Sequence, residues 1–228
     1  MNDHIIRSFD DELAQLSADV ARMGGLAEAQ VAACIEAMAK RDVALALAIV
    51  ARDDRLDAME LEIEQSCTRL VALRQPVAND LRRTLSAIKI AGSLERCGDL
   101  AKSIAKSTLR LNEIMPVSPL TGPIERMGRL VIGRLHDVLD AYTTGDIDRA
   151  IAVWSSDLEV DEYYSSLFRE LLTYMMGDPR MITACINLLF VAKNLERIGD
   201  HATNIAEAVH YELTGKFLPQ PRPKGTDP

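Results

Sequence analysis

The residues of this chain best suited to chemistry are eight acids in four acid-x-x-x-acid pairs: Asp53/Asp57, Glu95/Asp99, Asp157/Asp161 and Glu196/Asp200. Residues four apart share one face of a helix, so each pair sets two carboxylates side by side, repelling by roughly 0.2–0.5 kcal/mol. One such pair is commonplace in an acidic helix; four at matched positions are not. A dry, fully ionised cluster needs a counter-charge, because burying one unpaired charge costs several kcal/mol. Raised pKa values, internal salt bridges or bound cations would each supply the remedy. Oxygen-only donors suit hard ions such as Mg²⁺, Mn²⁺, Ca²⁺ or iron, and clustered carboxylates can bridge several of them. The competing reading is an ion-pair network with Arg96, Arg197, Lys102 and Lys193, and Lys193 lies on the acid seam three residues before Glu196.

The elements that must position these acids repeat. Arg22-Met23-Gly24 recurs as Arg126-Met127-Gly128, 104 positions later, and Asp53 and Asp57 match Asp157 and Asp161 at that offset. Leu94-Glu95-Arg96-Cys97-Gly98-Asp99 returns as Leu195-Glu196-Arg197-Ile198-Gly199-Asp200 at an offset of 101. A period near 100 residues marks a duplicated unit, not a short solenoid repeat. Prolines and glycines divide each copy into three helices. The expected spans are 3–40, 42–74 and 77–112, then 120–143, 146–176 and 180–214. The expected fold is therefore all-α without a sheet, two tandem three-helix bundles related by pseudo-twofold symmetry. The units cover residues 1–115 and 116–214, with a loose proline-rich tail at 215–228.

The acids extend apolar stripes with a/d spacing. In the third helices these run Leu81, Leu85, Ile88, Gly92, Glu95, Asp99 and Ile182, Ile186, Leu189, Lys193, Glu196, Asp200. Such positions face a partner helix, so the acids are expected on a packed seam. The spacing about the hairpins agrees. Asp57 lies 19 residues before Pro76 and Glu95 lies 19 after it, while Asp53 and Asp99 are both 23 away. The second copy is symmetric about Gly177-Asp178-Pro179. With a rise of about 1.5 Å per residue, antiparallel helices bring the two pairs of each copy to one level. Gly98 and Gly199 sit inside these helices, where glycine costs about 1 kcal/mol relative to alanine; close approach at a metal and tight helix packing are both consistent with them.

Composition narrows the function. The net charge of −8 argues against direct nucleic-acid binding. No apolar run approaches the roughly 20 residues of a membrane span, and the N-terminus has no signal-peptide pattern. Cys34, Cys67, Cys97 and Cys185 are scattered, as expected of reduced core cysteines in a cytosolic protein. No phosphate-cradling glycine loop or nucleophile elbow is written. Glu207-Ala208-Val209-His210 is a single ExxH, where ferritin-like di-iron sites need two. Glu60 and Glu64 extend the first acid seam, but Tyr164 and Phe168 replace them in the second copy, so they are placed at the periphery.

The doubled Leu-Glu-Arg-x-Gly-Asp, its Asp-x-x-x-Asp partners, Arg74-Gln75-Pro76, Tyr174-Met175-Met176 and Gly199-Asp200-His201-Ala202-Thr203-Asn204-Ile205 resemble the PhoU family over about residues 5–218. The resemblance implies a cytoplasmic, non-enzymatic negative regulator of phosphate uptake and of the phosphate regulon. It implies an adaptor between the Pst phosphate ABC transporter, through its ATPase subunit, and a PhoR-type histidine kinase. Homodimerisation is implied too, with attachment to the inner membrane only through partners. It further implies multinuclear metal clusters, iron or zinc with manganese or magnesium as alternatives, on Asp53, Asp57, Glu95, Asp99, Asp157, Asp161, Glu196 and Asp200. A carboxylate-bridged metalloenzyme and a metal-free helical scaffold are the rival readings.

Overall fold

The structure, a computed structural model, describes residues 2–51, 54–114 and 121–219, and the side chains among them except those of residues 2–8 and 157. Asp53, the link carrying Pro116 and Pro119, and the tail beyond residue 219 lie outside the described residues. Repeat one comprises α1 (Asn2–Lys40), α2 (Val43–Ala51), α3 (Asp54–Arg74) and α4 (Ala78–Ile114). Repeat two comprises α5 (Thr121–Thr144), α6 (Ile147–Ser155), α7 (Asp157–Gly177), a 3₁₀ turn (Pro179–Met181) and α8 (Ile182–Thr214). No strand occurs among the described residues.

Each repeat is a bundle of three helical rods, and in repeat two the middle rod comes in two segments, α6 and α7, where a single helix was expected. In repeat two the break falls at Ser156, whose φ/ψ of −88°/4° leaves the helical well. Its Oγ bonds the Val153 carbonyl at 2.9 Å. Serine competes in this way for backbone groups and so weakens a helix locally. The break sets Asp157 at the head of α7, and Asp57 lies in the first turn of α3, where the positive end of the helix dipole favours carboxylates.

The turn into each middle rod is made twice by the same device. Asp42 Oδ1 accepts from the Leu45 amide at 2.9 Å, and Asp146 Oδ1 from the Arg149 amide at 3.0 Å. The preceding residue is left-handed in both, Arg41 at φ 56° and Gly145 at φ 69°. Only the second copy uses the residue that adopts this conformation without steric cost.

The repeats pack through α4 against α8 and α1 against α5. Ser86 Oγ, early in α4, donates to the Ala208 carbonyl, late in α8, at 3.1 Å, which fixes those helices antiparallel. Gly24 lies against the Leu139 side chain, and Gly128 lies against Ile35. These two contacts are one contact seen twice, since each partner is displaced by the repeat offset, as pseudo-twofold symmetry requires. The core is aliphatic and continuous across both repeats, from Leu13 and Val31 through Leu94 and Ile104 to Leu135 and Leu195. The four cysteines are buried and unpaired, and burial pushes the Cys97 thiol up to about 12.

The a/d stripes are not the core seam. Leu85, Ile182 and Ile186 are about 40% exposed, and Ile88 and Leu189 are only partly buried. The rows that fill the core are offset around the helix: Thr84, Ala87, Ala91 and Leu94 on α4, and Ala184, Leu188, Val191 and Leu195 on α8. Because α4 is packed by α1, α2, α3 and α8, and α8 by α4, α5, α6 and α7, most of their circumference is apolar. The row with the cleanest spacing is then not the row most deeply buried.

Candidate metal centres

In repeat one Asp57 and Glu60 on α3 and Asp99 on α4 lie within electrostatic reach of Glu95, while Asp53 is outside the described residues. Burial pushes the Glu95 carboxyl up to about 7, reinforced by Asp99, opposed by Arg96, and raised further by Glu60 and Asp57. Four carboxylates therefore act on one another here. Glu95 is the enclosed member, with 13% of its side chain exposed, while Asp99 is 43% exposed and Asp57 is exposed. Arg96 sits over the pair, 3.4 Å from an oxygen of each.

Glu60, set at the periphery on sequence grounds, belongs to this cluster. Its carboxyl is raised by burial, then by Glu64, with smaller contributions from Asp57 and Asp99. Its Oε1 lies 3.3 Å from where a Cβ on Gly92 would stand. The signal that could have found it was its place one turn beyond Asp57 on the same helix face.

Repeat two is built differently at the matching place. Lys193 Nζ donates to Glu196 Oε1 at 2.8 Å and lies 5.2 Å from the centre of the Tyr164 ring. Burial pulls the Lys193 ammonium down, but the hydrogen bond and charge of Glu196 outweigh it and the net shift is upward. Glu196 is 13% exposed, and its Oε2 is buried with no hydrogen-bond partner among the described residues. Asp161 and Asp200 are half-buried on α7 and α8, and Asp157 opens α7. At the head of α7 the buried Arg134 pairs with Glu159 at 3.0 Å, tying α5 to this end of the site.

Both glycines of the doubled motif report packing. A Cβ on Gly98 would collide with the Leu56 side chain of α3, whereas one on Gly199 would meet Val160 at an ordinary 3.5 Å. His201 is half-buried with its Nδ1 unpartnered among the described residues. Burial lowers its pKa, helped by Arg197 and Arg96. The ExxH pair is spent on structure: Glu207 accepts from Trp154 Nε1 at 3.2 Å, and His210 Nδ1 meets the Lys216 carbonyl at 2.9 Å.

The donor chemistry suits a hard cation: all-oxygen ligands, an enclosed Glu95 carboxyl raised by burial to about 7, and an orphaned buried oxygen on Glu196. As the side chains stand, no three His, Cys, Asp or Glu among the described residues are gathered closely enough to hold one ion. In each repeat the fourth motif acid, Asp53 or Asp157, contributes no described side chain.

The family model described as the PhoU domain matches twice, over residues 20–108 and 124–209. The chain belongs to the PhoU family. A phosphate-specific transport system accessory protein PhoU homolog of Caulobacter vibrioides (strain NA1000 / CB15N) is 64% identical over 98% of this chain and 97% of its own. The accessory protein PhoU of Escherichia coli (strain K12) is 39% identical over 95% and 89%. The crystal structure of PhoU from Pseudomonas aeruginosa, 39% identical, superposes with a TM-score of 0.88, covering 91% of this chain and all of that one. The PhoU bundle pair is thus shared at the level of backbone as well as sequence, and the relatives carry the names of accessory and regulatory proteins.

Proposed function

We propose that this PhoU protein is the accessory regulator of a phosphate-specific transport system. In this reading it restrains phosphate uptake and the phosphate regulon when phosphate is plentiful. It does so as an adaptor between the transporter's ATPase subunit and a PhoR-type histidine kinase, acting as a homodimer in the cytoplasm. The observation that carries this reading is end-to-end identity of 64% to an accessory protein of that system. No described helix is long and apolar enough to cross a membrane, which accords with attachment through partners. Deleting the gene is expected to raise regulon expression in phosphate-rich medium, read by a reporter or by alkaline phosphatase. Unchanged expression would remove the regulatory assignment.

The acid clusters serve that role as metal centres. Asp53, Asp57, Glu95 and Asp99 would hold ions in repeat one, and Asp157, Asp161, Glu196 and Asp200 in repeat two. Iron or zinc is the first expectation, with manganese or magnesium as alternatives. A cation held by these residues would add to the positive charge of Arg96 and Lys193 and would tie α3 to α4, and α7 to α8. The ion pair of Lys193 with Glu196 favours the metal-free scaffold as a second reading, for repeat two alone.

A further inference from the structure

The repeats also differ away from the acids, where the first rod meets the middle rod. In repeat two a pair of salt bridges spans this junction. Arg149 of α6 holds Asp137 of α5 at 2.8 Å, and the buried Arg134 of α5 holds Glu159 of α7 at 3.0 Å. At the offset of 104 these four positions become Leu45, Ala33, Gln30 and Arg55. Neither salt bridge survives the exchange: one becomes two apolar residues, the other an amide and an arginine. All four of these residues line a single cavity of about 520 Å³ between α1, α2 and α3. Leu26, Ile49 and Leu56 add aliphatic wall, and Asp54 stands beside Arg55. The helix that bounds the cavity differs in the same sense. Every residue of α2, VALALAIVA, is apolar, yet only Ala46 and Ile49 are buried and Leu47 is 53% exposed. A helix apolar all round is ordinarily covered on all sides. Its counterpart α6 carries Asp148 and Arg149 instead.

We propose that this cavity binds a small amphipathic carboxylate, a fatty-acid-like molecule whose tail enters between α1 and α2 and whose head pairs with Arg55. The volume lies within the roughly 300–1,000 Å³ of small-molecule sites, which are mainly apolar with a few polar groups that fix orientation. The sign of the head follows from the exchange. In repeat two the carboxylate of Glu159 is met by an arginine of the same chain. In repeat one the arginine stands on α3 and position 30 supplies only an amide, so the carboxylate is left for the ligand to bring. Arg55 makes no ion pair among the described residues, and a guanidinium binds a carboxylate through two parallel hydrogen bonds. Asp54 lies in the first turn of α3, where the helix dipole offsets its charge, so Arg55 sets the preference at the mouth. Gln30 Nε2 donates to the Gly98 carbonyl at 3.2 Å, which fixes that amide in the wall. The ligand then does for repeat one what the salt bridges do for repeat two: it joins α1 to both α2 and α3.

The test is calorimetric titration of the full-length protein with decanoate and, separately, with decyltrimethylammonium, both kept below their micelle concentrations. Wild type is expected to bind one decanoate per chain, and the cationic amphiphile at least tenfold more weakly. Arg55→Gln should weaken decanoate at least tenfold and leave decyltrimethylammonium no weaker. Transplanting a repeat-two salt bridge, by Ala33→Asp with Leu45→Arg, is expected to abolish decanoate binding. A second block guards against misfolding of that double variant. Ala29 is an exposed residue of the cavity wall, so Ala29→Trp should fill the cavity without disturbing the core and also abolish binding. The matching change in repeat two, Gly133→Trp at an exposed position with open space around it, should titrate like wild type. Thermal melts confirm folding of each variant. No decanoate binding by wild type, equal affinity for the two amphiphiles, or binding that survives Ala29→Trp would each overturn the assignment.

Discussion

Glu95 concentrates the electrostatic problem of the molecule in one side chain. Its carboxyl is held at about 7 against an ordinary value of 4.5, first by burial and then by Asp99. An acid whose folded pKa is raised binds more protons folded than unfolded between those values. Its contribution to stability is therefore complete below about pH 4.5 and is lost as pH rises through 7. Metal-free protein is expected to melt at a lower temperature at pH 8 than at pH 5.5. Glu95→Gln should flatten that dependence, and added Mn²⁺ should raise the pH 8 melting point of wild type more than that of the variant. Glu212, raised to about 7 by burial and only partly relieved by Arg83, contributes a second slope that Glu95→Gln leaves in place. The eight motif acids were legible because the duplication printed them twice. Glu60 was not, for the same reason: agreement between repeats was the filter, and Tyr164 at its counterpart filtered it out. A criterion built on symmetry discards the residues that make two sites differ.

At the scale of elements, number, order and hairpin register followed from Pro76, Gly177-Asp178-Pro179 and the offsets of 104 and 101. The interruption of the middle rod in repeat two did not. Ser156 is tolerated inside many helices, and neither proline nor glycine marks the place, so the sequence carries no signal strong enough to separate a break from a continuous run. The half-open position of the a/d stripes was also hidden, because helices packed on several sides are apolar nearly all round and their spacing no longer points one way. The motif glycines separate these forces cleanly. Gly98→Ala must displace Leu56, which is 2% exposed, and overpacking of that kind costs about 1–3 kcal/mol, outweighing the helix propensity gained. A net loss of about 1–2 kcal/mol is expected in chemical denaturation. Gly199→Ala meets only ordinary contact with Val160 and should stabilise by about 0.5–1 kcal/mol. Equal effects at the two positions would mean that the glycines serve something other than helix packing.

For the whole molecule, the contact of Gly24 with Leu139 and its twin of Gly128 with Ile35 have the form of a self-complementary subunit interface. The two units of this chain thus meet as two copies of one protein meet in a symmetric dimer, and the covalent connection between α4 and α5 only raises their effective concentration. Chains 1–115 and 116–228 produced together are expected to co-purify as a 1:1 complex with the helical content of the intact protein, and failure to associate would show that the connection itself is required. Two units born identical and kept permanently joined can specialise without losing each other. One can keep Glu60 and Gly92 while the other carries Tyr164 and Lys193 at the matching positions, and the pair still closes along the same axis. In that sense the fused interface is what frees the two repeats to diverge: a symmetric dimer of one repeat would have to change both sides at once, whereas this chain can alter one side and leave the other as it was.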